Sequence, residues 1–282
     1  MVKKIFANIY VYLILLLMYL PILVIIAYSF TTAVNIGTWK GFSFDLYAQL
    51  FSEESKDIWI AVGNTVIIAV TSSVASVVLG TLGAIGTFYM GKKSKKFVEI
   101  STQIPIANAE IVIALSLTVM FVFLQQFIFG GQNLFSYWTL LIGHVVLSLP
   151  FVYLSVKPKL QQMDPHLYEA ALDLGATPNQ GLRKVIFPQI LPGILSGFLL
   201  SITLSLDDFI VTAFTRGSGL LSGSSKIETL STLIQAKIKK GPIPPAMRAL
   251  TTIIVVGVIL AVVGVTIYRN VKAKKVDERS GR

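Results

Sequence analysis

Apolar positions in this chain gather into six long runs, and nearly all the charge lies in the polar stretches between and beyond them. The runs cover about 5–30, 65–90, 104–129, 138–156, 193–214 and 250–268. Each is close to the roughly 20 residues a helix needs to cross about 30 Å of hydrocarbon. The pattern predicts an all-α membrane protein with six transmembrane helices in one domain, 1–282, and a long inner loop at 157–192. No internal repeat or low-complexity tract divides the chain.

Composition supports the bilayer as solvent. Hydrophobic residues make up 54% and charged residues 13%, against about 45–50% and about 25% in ordinary soluble domains. The net charge of +10 would suggest nucleic acid in a soluble protein. Here the Lys and Arg fall between spans, so they report topology and nucleic acid is not expected. With the N-terminus inside, sixteen of the 24 basic residues are cytoplasmic, from Lys3 and Lys4 through Lys92, Lys93, Lys95 and Lys96 to the C-terminal tail. Eight are outside, most of them in the last outer loop. This bias predicts a multi-pass protein with both termini cytoplasmic. The first run follows Lys3 and Lys4 like a secretion signal, but it is longer than the usual apolar region and lacks a clean cleavage site, so it is expected to be a retained helix. The 31–64 segment carries Trp39, Phe42, Tyr47 and Trp59, suited to a membrane interface. Without Cys there is no disulfide and no thiolate metal site.

The 157–192 loop is too polar to span and too patterned to be slack. Asp164 and Pro165 have the order of an N-cap and a first-turn proline. Good helix formers follow from His166 to Leu174, and Gly175 suits a left-handed stop. Thr177, Pro178 and Gln180 then spell a capping box with proline at the first helical position. Leu182, Val185 and Ile186 give the second helix an apolar face, and Pro188 and Pro192 bracket entry to the fifth span. A helix, a sharp turn and a second helix on one face make either a surface connector or a device that docks into a partner's groove.

Glu169-Ala170-Ala171, Gly175 and then Val185-x-Phe187-Pro188 resemble the coupling motif of bacterial ABC importer permeases: Glu-Ala-Ala, three residues, Gly, nine residues, Ile-x-Leu-Pro. Val185 and Phe187 depart from the pattern but stay apolar. The stretch from Thr203 to Val211, with Asp207 and Asp208 inside it, looks like the fifth span of the second permease subunit of spermidine/putrescine importers. Trp39-x-Gly41-Phe42, and His144 with Leu149-Pro150-Phe151-Val152, point the same way. Where that subfamily tends to have Pro-Asp-Ile, this chain has Ala109-Glu110-Ile111, which keeps a carboxylate one methylene longer.

The resemblance implies the type I importer permease fold and a complex in the bacterial plasma membrane. It also implies a second related permease, two copies of a cytoplasmic ATPase that bind ATP and Mg, and an extracytoplasmic binding protein that delivers the solute. The helix from Glu169 to Gly175 would be the coupling helix, and this chain would bind no cofactor. The cargo implied is a polyamine.

Three acids fall inside apolar runs, where a charge costs at least roughly 2.5–3.5 kcal/mol: Glu110, Asp207 and Asp208. Counted from the inner boundary, all three reach the same mid-membrane level. Asp207 and Asp208 point about 100° apart on one helix. Asp208 shares its face with Ser201, Ser205 and Thr212, which makes it the better candidate for a water-lined path, and Asp208→Asn is expected to lower transport with assembly intact.

Other signals carry less. Gly193, Gly197 and Ser201 form a small-residue stripe suited to close helix packing, and Gly80, Gly83, Ala84 and Gly86 offer a second. The Gly86–Gly91–Lys92 spacing begins like a phosphate loop but continues with Lys93, not Ser or Thr. His144 lacks a second His at ligand spacing, so it reads as a hydrogen-bonded packing residue and no metal is expected. No catalytic constellation is found, so no enzyme activity is expected. Alternatives to a polyamine permease are a permease of the same design for iron, thiamine or phosphonate, and a self-contained secondary transporter or channel.

Overall fold

The computed structural model describes residues 2–35, 37–164, 166–217, 227–241 and 244–280. Among these the chain is helical, with no strand. It divides into two compact units.

The first unit comprises residues 1–57 and 236–282. Its frame is α1 (Val2–Tyr28), α2 (Asp45–Leu50) and α12 (Ala246–Ser280). The Asn8–Tyr28 stretch of α1 has a mean hydropathy of 2.8 and buries none of its most apolar window within the chain. So apolar a surface needs lipid or another protein around it. The end of α1 is closed by Arg248 of α12. Its guanidinium is buried and donates to the carbonyls of Tyr28, Ala33 and Val34, which have no helical donor. The segment after α1 folds on its aromatic rings: Phe30 stacks on Phe42 with centroids 5.4 Å apart, and Tyr47 donates to or accepts from Ser29 at 2.8 Å.

The second unit, residues 58–235, is built around α6 (Tyr137–Gln162). Ser136 and Thr139 form a capping box at its start. Against it lie α3 (Lys56–Tyr89) and α9 (Phe187–Asp207), with α4 (Lys92–Ala107), α5 (Glu110–Phe127) and α10 (Ile210–Thr215) around them. Contact between α6 and α9 is close because α9 presents Gly193 and Gly197. A Cβ at Gly193 would lie 2.7 Å from the Ser155 carbonyl oxygen, and one at Gly197 would lie 3.1 Å from the Val152 Cα. On the other side Gly80 of α3 meets Val152, where a Cβ would come within 2.9 Å of the side chain. Gly86 has open space around it. Ala84, Val152, Tyr153, Val156, Ile186 and Ile190 form the core between these helices.

Among the described residues, five helices have the length and composition to cross a membrane: Asn8–Tyr28, Glu53–Tyr89, Glu110–Phe127, Tyr137–Gln162 and Pro178–Asp207. The sixth expected run lies in α12, where the described apolar stretch is Ala246–Leu260. Three boundaries differ from the hydropathy reading. The second helix starts at Lys56 instead of 65 because Ile58 and Ala61 are already buried, so tertiary packing extends it through polar residues. The third run is cut at Asn108 and Ala109, both extended, so its first residues close α4. The fifth run begins far earlier and is cut after Asp207.

Candidate functional site

Nothing in Ser205-Leu206-Asp207-Asp208-Phe209-Ile210 is a glycine or proline, yet the helix stops there. The cause is the Asp208 side chain. Its backbone is extended, and its carboxylate accepts from the Val211 N–H at 3.1 Å, the Thr212 N–H at 2.8 Å and the Thr212 hydroxyl at 2.7 Å. It caps α10 and offers the backbone an alternative to continuing α9. The far end of α10 is closed by hydroxyls of neighbouring helices: Thr139 donates to the Thr215 carbonyl at 2.9 Å and Thr118 to that of Phe214 at 3.2 Å. A six-residue helix in an apolar surrounding needs such partners at both ends.

Asp208 is 5% exposed and Asp207 is open. The two acids diverge, and it is Asp208 that faces inward. The polar face with Ser201 and Ser205 is buried within the chain, and the Ser205 hydroxyl bonds to His144 of α6 and Ser72 of α3. Asp208→Asn would put an NH2 or a single remaining acceptor where the carboxylate now takes three bonds, so intact assembly is no longer the expected outcome.

His144, on α6, is 1% exposed and spans the break. Its Nδ1 lies 2.7 Å from Ser205 Oγ in the last turn of α9, and its Nε2 lies 2.9 Å from Thr212 Oγ1 in α10 and 3.4 Å from Asp208 Oδ2. Because the Thr212 hydroxyl donates to Asp208, it must accept from Nε2–H. Nδ1 is then left to accept from Ser205, which itself accepts from Ser72 of α3 at 3.2 Å. One directed chain thus runs Ser72, Ser205, His144, Thr212, Asp208 through α3, α9, α6 and α10. The half-buried carboxyl of Glu110, in the first turn of α5, meets that of Asp208. Glu110 and Asp208 therefore sit together at two helix breaks, while Asp207 stands apart on the exposed side. From the other flank Ser231 donates to the Asp208 carbonyl at 2.6 Å.

The 157–192 segment folds as its caps dictate. Asp164 accepts from the His166 N–H at 3.0 Å and opens α7 (His166–Asp173); Pro165 lies outside the described residues. Gly175 has φ of +85°, and bonds from Gly175 N–H to Leu172 and from Ala176 N–H to Ala171 complete a Schellman stop. Thr177 and Gln180 exchange both capping-box bonds at the start of α8 (Pro178–Gly181). Tyr168 packs on Gly181, where a Cβ would come within 2.9 Å of the ring, and this pins α7 on the second helix. Glu169, Ala170, Gly175 and Phe187 are exposed, Ala171 and Val185 are partly covered, and Pro188 is exposed. Leu174 stands 90% exposed at the tip. From Pro178 the helix continues through a π turn at Leu182–Ile186 into α9, so 30 residues run unbroken from the capping box to Asp207.

Sequence reasoning missed the break and the roles of Thr212, Ser72 and Ser231. It also passed over Arg248. The available signal was the density of Ser and Thr in otherwise apolar helices, which need partners when buried. Among the described residues no group of His, Asp or Glu could hold a metal ion.

The model of one protein family, binding-protein-dependent transport system inner membrane component, matches residues 76–276. The spermidine/putrescine transport system permease protein PotC of Haemophilus influenzae is 32% identical over 88% of this chain and 90% of its own. PotC of Escherichia coli K12 is 32% identical over 91% of each. The putrescine transport system permease protein PotI of E. coli K12 is 31% identical over 84% of this chain and 81% of its own. Among solved structures, a bacterial ABC transporter involved in the import of the acidic polysaccharide alginate has a chain that superimposes with a TM-score of 0.63 at 14% identity. That match covers 95% of this chain and 96% of the other.

Proposed function

This chain belongs to the family of binding-protein-dependent transport system inner membrane components, a multi-pass inner membrane protein with an ABC permease fold, and on that premise we propose that it is a permease subunit of an ATP-driven polyamine importer. The observation that carries the coupling half is the exposed α7 and its turn at Gly175, pinned by Tyr168 onto a separate helix that runs 30 residues from Pro178 to the Asp207–Asp208 break. It presents Leu174 and Ala170 to a groove on a cytoplasmic ATPase. At 1.5 Å per residue the strut beyond it reaches about 45 Å. Motion of the ATPases is delivered at one end and felt among the acids at the other.

The complex has a second related permease, two ATPase copies that hold ATP and Mg, and an extracytoplasmic binding protein. Both termini of this chain lie in the cytoplasm, as the basic residues favour. ATP binding closes the ATPases, the coupling helices move with them, the path opens outward to receive solute, and hydrolysis resets it. The cargo rests on the three curated relatives and on chemistry: Asp207, exposed at mid-span, and Glu110, half-buried, offer carboxylates to a polycation. The alginate importer shares the fold with an acidic cargo, so fold alone does not choose the solute.

Uptake of labelled spermidine and putrescine in host cells lacking only this chain tests the reading. Loss of uptake restored by re-expression supports it. Full uptake, with no redundant transporter, removes the polyamine assignment. Failure of the tagged chain to retain any ATPase on purification removes the importer assignment.

A further inference from the structure

At the α9–α10 break two helix ends and the buried Asp208 meet a single side chain. His144 reaches across from α6 and holds the α9 side by Ser205 at 2.7 Å and the α10 side by Thr212 at 2.9 Å. The Thr212 hydroxyl passes the contact on to Asp208 at 2.7 Å. His144 is itself held: its carbonyl accepts from Ser148 at 2.7 Å, and Ser148 pairs with Ser76 of α3 at 2.8 Å. Just before it, Gly143 lets α10 approach so closely that a Cβ there would sit 2.7 Å from Val211. Both ring nitrogens are used, and the imidazole touches no surface. Asp207 is the last helical residue of α9, two positions after Ser205, and it stands exposed where the Asp208 cap ends the helix.

We infer that His144 is a positioning residue for transport, which clamps both sides of the α9–α10 break and so aims Asp207 onto the exposed face where a cationic solute passes. The two arms of the clamp are unequal. The Ser205 arm joins α6 to a helix already packed through Gly193 and Gly197. The Thr212 arm supports the Asp208 cap, which ends α9 directly after Asp207.

The transport arm of the test rests on the permease reading; the labelling arm does not. The chain contains no Cys, so Asp207→Cys supplies the only thiol it can report from. In membranes holding the assembled complex, the rate at which an aminoethyl methanethiosulfonate reagent modifies that thiol is measured with His144 and with His144→Ala. The clamp predicts that the rate falls about fivefold or more when the ring is removed. An unchanged or faster rate overturns it, whatever the cargo. On the Asp207 background, His144→Gln keeps a donor near the Nε2 position and His144→Asn keeps only an acceptor near Nδ1. The maximal rate of polyamine uptake is expected to fall about tenfold in His144→Ala and His144→Asn and to recover to within about threefold in His144→Gln, with ATPase retention unchanged. Equal uptake by the Gln and Asn variants would reduce His144 to a packing residue. Should His144→Ala not assemble, Thr212→Val against Thr212→Ser decides: labelling that follows the hydroxyl supports the clamp, and labelling indifferent to it refutes it. If parent cells take up no polyamine, the cargo reading fails while the labelling result still stands or falls alone.

Discussion

The helix Pro178–Asp207 begins and ends in contrasting ways. Its inner end is closed by its own neighbours in sequence: Thr177 and Gln180 cap it, Gly175 stops the helix before, and the tip with Leu174 stands in the open. Its other end is closed by distant parts of the chain, with Asp208 inside a ring of Thr212, His144, Glu110 and Ser231. A terminus that satisfies its backbone locally leaves its side chains free for a partner. One that satisfies it through tertiary contacts becomes rigid and can hold a neighbouring charge in a fixed direction.

Removing the carboxylate at the tertiary end has the largest expected effect. Asp208→Ala strands the Val211 and Thr212 N–H groups and the Thr212 hydroxyl donor in a buried site. Each unsatisfied group costs about 1–3 kcal/mol, so a net loss of about 3 kcal/mol is expected, read as a lower melting midpoint of the purified complex or as its failure to assemble. A midpoint within a degree of the parent would sink the capping account of the break. Gly193→Ala comes next. Its methyl would press on the Ser155 carbonyl oxygen at 2.7 Å, an overpacking cost of about 2 kcal/mol. Gly86→Ala, with open space around it, serves as the control and should be neutral or slightly stabilising.

At the locally capped end the effects shrink. Gly175→Ala forces a side chain into φ of +85°, which costs about 1 kcal/mol. Because the turn orients α7, binding of the ATPase is expected to weaken more than the melting midpoint moves. An equal loss in both would mean that the turn serves stability alone.

That asymmetry also governs what the sequence made legible. The Asp164, Gly175, Thr177 and Gln180 signals are short-range, and each acts in the structure as its residue type requires. The stripe of Gly193 and Gly197 was equally readable, since a missing Cβ is visible in any sequence. The break at Asp208 was not, because hydropathy from 193 to 214 is continuous and the buried site that receives the carboxylate is completed by residues as distant as His144 and Glu110. The same blindness placed Asp208 on a wet face: a Ser- and Asp-bearing stripe on a membrane helix marks either water or another helix's hydroxyls, and periodicity cannot choose between them. The late start assigned to the second helix has a related origin, since Ile58 and Ala61 are buried by packing that polar flanks conceal.

The smallest effect on stability is expected where the two ends compare most sharply. Asp207 and Leu174 both stand exposed, one beside the rigid break and one at the open tip. Asp207→Asn and Leu174→Ser should each leave the melting midpoint almost unmoved, within about 0.5 kcal/mol, because neither side chain is covered by the chain. Their losses should then separate by function. Asp207→Asn is expected to lower polyamine uptake about tenfold with ATPase retention intact, since an amide replaces the charge that meets the cation. Leu174→Ser is expected to weaken ATPase retention, since a single large apolar side chain seated in a groove contributes about 1.5–3 kcal/mol when buried, and uptake should fall only as far as the ATPase is lost. Pulldown of the ATPase and initial uptake rates, measured on the same membranes, distinguish the two. If Asp207→Asn also sheds the ATPase, the far end of the strut is structural and the charge there is not serving the solute.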